Sequence, residues 1–371
     1  MTISRNSLKI KKKILVVDDS ALMRRVMCDI INSDERFQVE DIAFDGEAAY
    51  KLLKEKQYDA VVLDVNMPKI NGIQLLRMLQ KDRIRAKIMM ASTDTKEGAA
   101  VTMEALELGA IDFIEKPNNI AYLRTDNFKQ RFIELLEAVA ESRQTNVMAG
   151  TVESRKKQEE QTRKLVDIVR KSAPASSGSG QKVVAIACST GGPKALQSVV
   201  PRLPAELAAP VLIVQHMPKG FTRSLADRLN SLSKIAVKEA EEGDVLENGQ
   251  VYIAQGGLHM NVIQKNGKAV ISYSDEPPRE GVKPCANYMY ESLMKSNYSQ
   301  IVCVVLTGMG ADGTKGIVNL ETAKKVHVIA QDEASSTVYG MPKSIAATGL
   351  VNQVTSLDDV AQEIIMNVGV K

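Results

Sequence analysis

Short apolar runs alternate along most of this chain with stretches whose apolar residues recur every three or four positions. Lys13-Ile14-Leu15-Val16-Val17 reads as a strand, and helical spacing follows from Ser20. The same couple recurs as Val39 to Ala43 with a helix from Asp45, and as Ala60-Val61-Val62-Leu63 with a helix from Gly72. It recurs again as Lys87-Ile88-Met89-Met90-Ala91 with a helix from Lys96, and Asp112-Phe113-Ile114 is a fifth strand. This alternation predicts an open, doubly wound parallel sheet with its ligands at the carboxyl ends of the strands. Phe128 to Arg143 then sets Phe132, Leu135, Leu136 and Val139 on one helical face.

Beyond that helix the apolar pattern fades. Residues 151–164 are dense in charge, and Ser172-Ala173-Pro174-Ala175-Ser176-Ser177-Gly178-Ser179-Gly180 has the composition of a flexible tether. Strand–helix alternation resumes at Val183-Val184-Ala185-Ile186-Ala187, which runs into Cys188-Ser189-Thr190-Gly191-Gly192-Pro193, with Pro193 placed as a first helical residue. Pro210 to Val214, Ile301 to Leu306 and Val326 to Ala330 are further buried strands. Between them, Gly243-Asp244, Asn248-Gly249 and Asn266-Gly267 divide β-rich runs and predict hairpins over 235–274. The expected architecture is two α/β domains. A flavodoxin-like sheet spans 11–128, a linker that begins helical and turns flexible spans 129–180, and a Rossmann-like sheet with an antiparallel insertion spans 181–371.

Composition narrows the setting. The 371 residues are 44% hydrophobic and 25% charged, ordinary for a soluble globular chain, and allow two or three domains. A net charge of +3, spread over both signs, gives no nucleic-acid surface. Neither a membrane-spanning stretch nor a signal peptide is read, so no membrane insertion is expected. The four cysteines lie far apart, and most have apolar neighbours, which points to free thiols in a reducing cytoplasm without a metal or a disulfide. With only three histidines, candidates for a general base are few.

The strand ends of the first domain carry Asp18 and Asp19, Asp64, Ser92, and Lys116-Pro117. Three carboxylates at adjoining strand ends repel one another unless a hard divalent cation such as Mg²⁺ sits among them. A lysine opposite them suits a phosphate oxygen, so the cluster fits transient phosphorylation of its central member, Asp64. Here the chain resembles the response-regulator receiver family, through Val17-Asp18-Asp19-Ser20, Leu63-Asp64-Val65-Asn66-Met67-Pro68, Gly72 and Glu115-Lys116-Pro117. The resemblance implies a phospho-acceptor Asp64 and Mg²⁺ held by Asp18, Asp19, Asp64 and the Asn66 carbonyl. It also implies a switch hydroxyl Ser92, with Thr93 as runner-up, and a switch aromatic Phe113.

In the second domain Ser189, His216 and Asp312 each follow the end of a separate strand, so a parallel sheet can bring them to one edge. Ala187-Cys188-Ser189-Thr190-Gly191 is one residue away from the nucleophile-elbow pattern. His216 can take the Ser189 proton and Asp312 can fix the imidazole. The Met309 amide and the Ser189–Thr190 turn are the expected oxyanion donors. The competing assignments are specific. His327 lies within an apolar strand and reads as core, and His259 could line the pocket. Asp332 or Glu333 could replace Asp312, and Cys188 could replace Ser189, although strand alternation turns Cys188 into the packing.

The whole chain resembles the chemotaxis response-regulator protein-glutamate methylesterase (CheB) family. The matching segments are Ser189-Thr190-Gly191-Gly192-Pro193, Gln215-His216-Met217-Pro218, Gly256-Gly257-Leu258-His259-Met260, residues 307–313, residues 330–336 and Tyr339-Gly340-Met341-Pro342. The resemblance implies hydrolysis of γ-glutamyl methyl esters and deamidation of glutamines on methyl-accepting chemotaxis receptors. It further implies a chemotaxis histidine kinase as phosphoryl donor, no cofactor for the esterase step, and Ser189, His216 and Asp312 as the triad. Pro284-Cys285-Ala286-Asn287 stands where the family usually has Pro-Ser-Val-Asp, a difference expected to touch the substrate cleft rather than the chemistry. The unphosphorylated first domain is expected to cover the catalytic edge. The alternatives are a non-catalytic, phospho-dependent adaptor, or the same enzyme serving a chemosensory system that does not control motility.

Overall fold

The structure, a computed structural model, describes residues 10–93, 96–116, 123, 125–143 and 180–371. Pro117, the charged run 151–164 and all of the Ser/Gly tether except Gly180 lie outside the described residues, as does the side chain of Thr93. The chain forms two compact units, which meet in sequence at Ala149 and Gly150.

In the first unit, strands β1 (Lys12–Val17), β2 (Phe37–Ala43), β3 (Ala60–Asp64), β4 (Ile88–Thr93) and β5 (Asp112–Lys116) form one sheet in the order β2-β1-β3-β4-β5. Every pairing is parallel, and this is the flavodoxin-like order expected from the alternation. Helices α1 (Ala21–Ser33), α2 (Gly46–Glu55), α3 (Gly72–Lys81) and α4 (Lys96–Glu107) connect the strands. Their starts are chemical. Ser20, Asp45 and Asn71 each accept a backbone N–H in the first turn with their side chains, and Asn71 with Gln74 completes a capping box.

Helix α5 (Asp126–Glu141) corrects the domain boundary. Its buried face, Phe128, Phe132, Leu135, Leu136 and Val139, shares one core with Ile14, Val16, Val62, Met89 and Ile114 of the sheet. The boundary expected at 128 therefore cuts a helix that belongs to the first sheet. An amphipathic pattern shows that a face is buried but does not say against what.

The second unit is a seven-stranded sheet in the order β14-β13-β12-β6-β7-β9-β8. Its strands are β6 (Lys182–Cys188), β7 (Val211–Gln215), β8 (Ala236–Glu239), β9 (Gln250–Ile253), β12 (Gln300–Val305), β13 (Lys325–Gln331) and β14 (Val351–Thr355). All of its pairings are parallel. The helices are α6 (Gly192–Val199), α7 (Phe221–Leu232), α8 (Ala286–Ser292), α9 (Thr314–Glu321), α10 (Met341–Ala346) and α11 (Val360–Val368).

The antiparallel insertion is one hairpin, β10 (His259–Lys265) with β11 (Lys268–Ser274), turned by Asn266 and Gly267 at φ 52° and 75°. The other two glycine turns do not make hairpins. Gly243 and Gly249 bend the link between β8 and β9, which join the main sheet in parallel. That link pairs with the hairpin instead, where the Gly243 N–H donates to Ile271 O and the Leu246 N–H to Ala269 O. No helix among the described residues is long and apolar enough to cross a membrane.

Phe132 is fully buried in the first unit's core. Phe132→Ala is expected to destabilise that unit by about 3–5 kcal/mol, measured by urea denaturation. A fragment ending at 143 is expected to unfold cooperatively, whereas one ending at 128 is not.

Candidate functional site

At the carboxyl edge of the first sheet, Asp18, Asp19 and Asp64 present carboxylate oxygens within 4.8 Å of one another. Lys116 Nζ bridges two of them, at 2.6 Å from Asp18 and 2.7 Å from Asp64. Burial pushes the Asp64 carboxyl up, Lys116 draws it down, Asp18 pushes it up again, and the balance stands at about 6. An all-oxygen set of this kind fits a hard cation such as Mg²⁺. Ser92 at the end of β4 is fully buried; its hydroxyl donates to Gly98 O and accepts from Thr102 Oγ1 at 2.8 Å. Phe113 is buried in β5. Of the residues expected at strand ends, Asp18, Asp19, Asp64, Ser92 and Lys116 are there, with Ser92 turned toward α4, and Pro117 lies outside the described residues.

In the second sheet the strand register does the assembling. Cys188 pairs with Gln215 across β6 and β7, so the next residues, Ser189 and His216, leave adjacent strands side by side. The His216 N–H donates to Cys188 O, and the Ser189 N–H donates to Thr307 O beyond β12. The third strand's loop supplies Asp312, whose Oδ2 accepts from His216 Nε2 at 2.7 Å. Both side chains are buried. Because Nε2 faces a carboxylate it carries the proton, which leaves Nδ1 as the basic nitrogen. The Ser189 hydroxyl makes no hydrogen bond among the described residues.

Asp312 is surrounded by donors. Oδ2 also accepts from the Ala286 N–H at 2.6 Å, while Oδ1 accepts from Cys285 Sγ at 3.0 Å, the Asn287 N–H at 3.0 Å and the Gly313 N–H at 2.8 Å. Burial alone would push this carboxyl up, but His216, Cys285 and the backbone donors outweigh it and hold it at about 2. The 284–287 difference from the family pattern therefore falls on the carboxylate itself. This corrects the expectation that it would touch only the substrate cleft.

Asp332, His327, Cys188 and His259 are placed away from the triad positions they competed for. Asp332 accepts from the Ser335 N–H and hydroxyl in its own turn. His327 lies near the start of β13, away from the carboxyl edge, and its Nε2 is buried without a partner among the described residues. Cys188 is fully buried with its thiol toward Val214 O, and burial pushes it up. His259 is buried too, behind Asp312 rather than lining an open pocket.

Several supports went unread in the sequence. The Gln215 amide donates to Ser189 O and His216 O, and the Thr307 hydroxyl donates to Thr190 O. Gln331 Oε1 accepts the Thr307 N–H. Two glycines make the turn possible. Gly191 sits at φ 77° with Thr337 Cβ only 2.5 Å from where its own Cβ would be, and a Cβ on Gly308 would lie 2.8 Å from Ser189 Cβ. The N–H groups of Met309 and Thr190 beside Ser189 have no partner among the described residues.

This arrangement defines a class, two-domain α/β proteins in which a sheet with an acidic cluster at its carboxyl edge precedes a sheet edge carrying serine, histidine and aspartate. Residues 14–126 match the response regulator receiver domain model and residues 184–364 match the CheB methylesterase model. A Pyrococcus horikoshii protein named protein-glutamate methylesterase/protein-glutamine glutaminase is 42% identical over 355 residues, covering 96% of this chain and 93% of its own length. The Bacillus subtilis protein of the same name is 40% identical over 359 residues, covering 95% and 97%. The crystal structure of the Thermotoga maritima CheB methylesterase catalytic domain is 39% identical with a TM-score of 0.49, over 51% of this chain and 99% of that one. The chain belongs to the CheB family, which joins a response regulator receiver to a methylesterase domain.

The Asp312 geometry predicts a pH signature in stability. A carboxyl held at about 2 in the folded state, against roughly 3.9 unfolded, adds stability that is complete above the unfolded value and lost as pH falls through the folded one. The urea-stability gap between the natural protein and Asp312→Asn is expected to be about 2–3 kcal/mol at pH 7 and roughly half that at pH 3.

Proposed function

We propose that the chain is a phosphorylation-controlled serine hydrolase that removes methyl esters from receptor glutamates and deamidates receptor glutamines. The observation that carries the proposal is the His216–Asp312 pair beside Ser189, on one edge of a parallel sheet. Ser189 Oγ attacks the ester carbonyl as it turns onto His216 Nδ1, which takes its proton. Asp312 stays ionised, holds Nε2–H in place and stabilises the imidazolium. The Met309 and Thr190 N–H groups meet the oxyanion of the tetrahedral intermediate. His216 returns the proton to the departing methoxide, which leaves as methanol, and a glutamyl ester remains on Ser189. Water then attacks that ester, giving its proton to His216, and the serine leaves with the proton restored. With a glutamine substrate the first leaving group is ammonia. The relatives' printed names, which pair methylesterase with glutaminase, support both substrates.

The receiver is the control input. Asp64 accepts a phosphoryl group from the chemotaxis histidine kinase. Asp18, Asp19, Asp64 and the Asn66 carbonyl would hold Mg²⁺, which neutralises charge on the transferred group. Lys116 is placed to bind a phosphoryl oxygen. For Ser92 to do the same its hydroxyl must leave Thr102 and Gly98, which couples phosphorylation to the β4–α4 connection, with Phe113 as the aromatic partner of the change. Methyl-accepting receptors are then the protein substrates. The reaction sits in the cytoplasm, a placement that the four free cysteines support.

Methanol release from methyl-labelled receptor membranes tests both halves. Ser189→Ala is expected to lower it by about 10⁴-fold or more. A small phosphoryl donor is expected to raise turnover in the natural protein and leave Asp64→Asn unchanged. Full turnover in Ser189→Ala, as an adaptor would show if a contaminating esterase were responsible, would overturn the enzymatic reading.

A further inference from the structure

Of the donors around Asp312, two are side chains, His216 and Cys285; the others are backbone N–H groups. Cys285 is itself held. Its backbone N–H donates to His259 Nδ1 at 3.2 Å, and the opposite ring nitrogen, Nε2, donates to Pro277 O at 3.2 Å. His259 is therefore the neutral Nε2–H tautomer, and its ring packs against Tyr288 with centroids 4.3 Å apart and the planes tilted by 37°. Cys285 and His259 are both fully buried, and neither has a role in the steps above. The charged and titratable groups that interact electrostatically with this cluster include Tyr290 and Glu291 with Asp312, Arg279 and Tyr288 with Cys285, and Lys283 and Glu276 with His259.

We infer that Cys285 and His259 act in series as positioning residues for Asp312, with His259 fixing the Cys285 backbone and the thiol holding Oδ1 so that Oδ2 stays aimed at His216. The inference rests on the triad reading given above. A thiol is a weak donor, but here the acceptor is an ionised, buried carboxylate, for which a charge-assisted bond counts for more. The thiol is no nucleophile, because burial and then the Asp312 charge push it far above its ordinary range. Its work is to share the carboxylate's charge and to hold its rotamer. Without it Oδ1 keeps only the Asn287 and Gly313 N–H groups, the carboxylate's charge is less fully shared, and His216 meets a stronger, less firmly aimed base.

The test is methanol release from methyl-labelled receptor membranes by the full chain, as kcat, KM and pH profile. Cys285→Ala is expected to lower kcat about 3- to 10-fold with KM unchanged and to move the acid limb to higher pH. Cys285→Ser, which restores a donor, is expected to keep kcat within about twofold and move the limb to lower pH. His259→Leu is expected to match Cys285→Ala, and the double variant to be no worse than the worse single one, as residues in series require. Should Cys285→Ala or His259→Leu not fold, Cys285→Ser carries the test alone through the direction of its limb. The proposal is overturned by a Cys285→Ala enzyme with unchanged kcat and limb, by a serine variant as impaired as the alanine one, by a serine variant whose limb does not move down, or by additive losses in the double variant. Ser189→Ala is run alongside, and turnover there overturns the triad reading instead.

Discussion

A parallel sheet puts every strand's carboxyl end on one edge, and this chain builds both of its sites from that constraint. Residues remote in sequence become neighbours because two strands have to end together, not because a loop reaches across. Ser189 and His216 are adjacent because Cys188 and Gln215 are paired in register. Asp18 and Asp64 are adjacent because β1 and β3 are paired. A one-residue slip in either pairing would turn the site residue to the opposite face, so the buried faces that fix the register also fix the chemistry.

The edge has a cost, which is that carboxylates gather where water is scarce. The second sheet meets it with donors from two segments, the 285–287 turn and Gly313, closing on Asp312 together with His216. A buried ionised carboxylate with a single partner would be a strongly destabilising element; one with a full set of donors is fixed in both charge and direction. The same N–H groups serve the fold, because they open helix α8, whose Tyr290 hydroxyl donates to Ala185 O and Val304 O between β6 and β12. The position of Asp312 and the core packing are thereby parts of one network.

What could be read from the sequence follows from this. Apolar runs such as Ile14 to Val17 and Val183 to Ala187 are buried on both faces, so their strands and the residues at their ends stood out. Edge strand β14 did not, because Asn352, Gln353 and Val354 are exposed and leave no apolar run. The turns at Gly243 and Gly249 read as hairpins because glycine reports a bend, while the direction of the following strand is set by its partner in the sheet. Cys285, His259, Gln215 and Thr307 were the least legible. Each acts through a hydrogen bond to a residue distant in sequence, and nothing local marks a buried thiol, amide or imidazole as the support of another side chain. The departure at 284–287 was visible, but its target was not.

The two acidic sites share an edge geometry and differ in the chemistry around the carboxyl. Asp64, with burial and Asp18 working against Lys116, rests at about 6, whereas Asp312, ringed by neutral donors and His216, rests at about 2. That difference suits the separate tasks proposed for them. In the proposed mechanism Asp64 attacks an incoming phosphoryl group, for which an anion poorly stabilised by the protein is the better nucleophile, and Lys116, 2.7 Å away, would take charge that builds on the phosphoryl oxygens. In the proposed mechanism Asp312 remains an anion while a positive charge appears and disappears on the imidazole beside it, and the backbone N–H groups around it stabilise it in advance. The same side chain at the same place in the same kind of sheet is thus held high or low according to whether burial and a second carboxylate outweigh its lysine, or His216, Cys285 and backbone donors outweigh its burial.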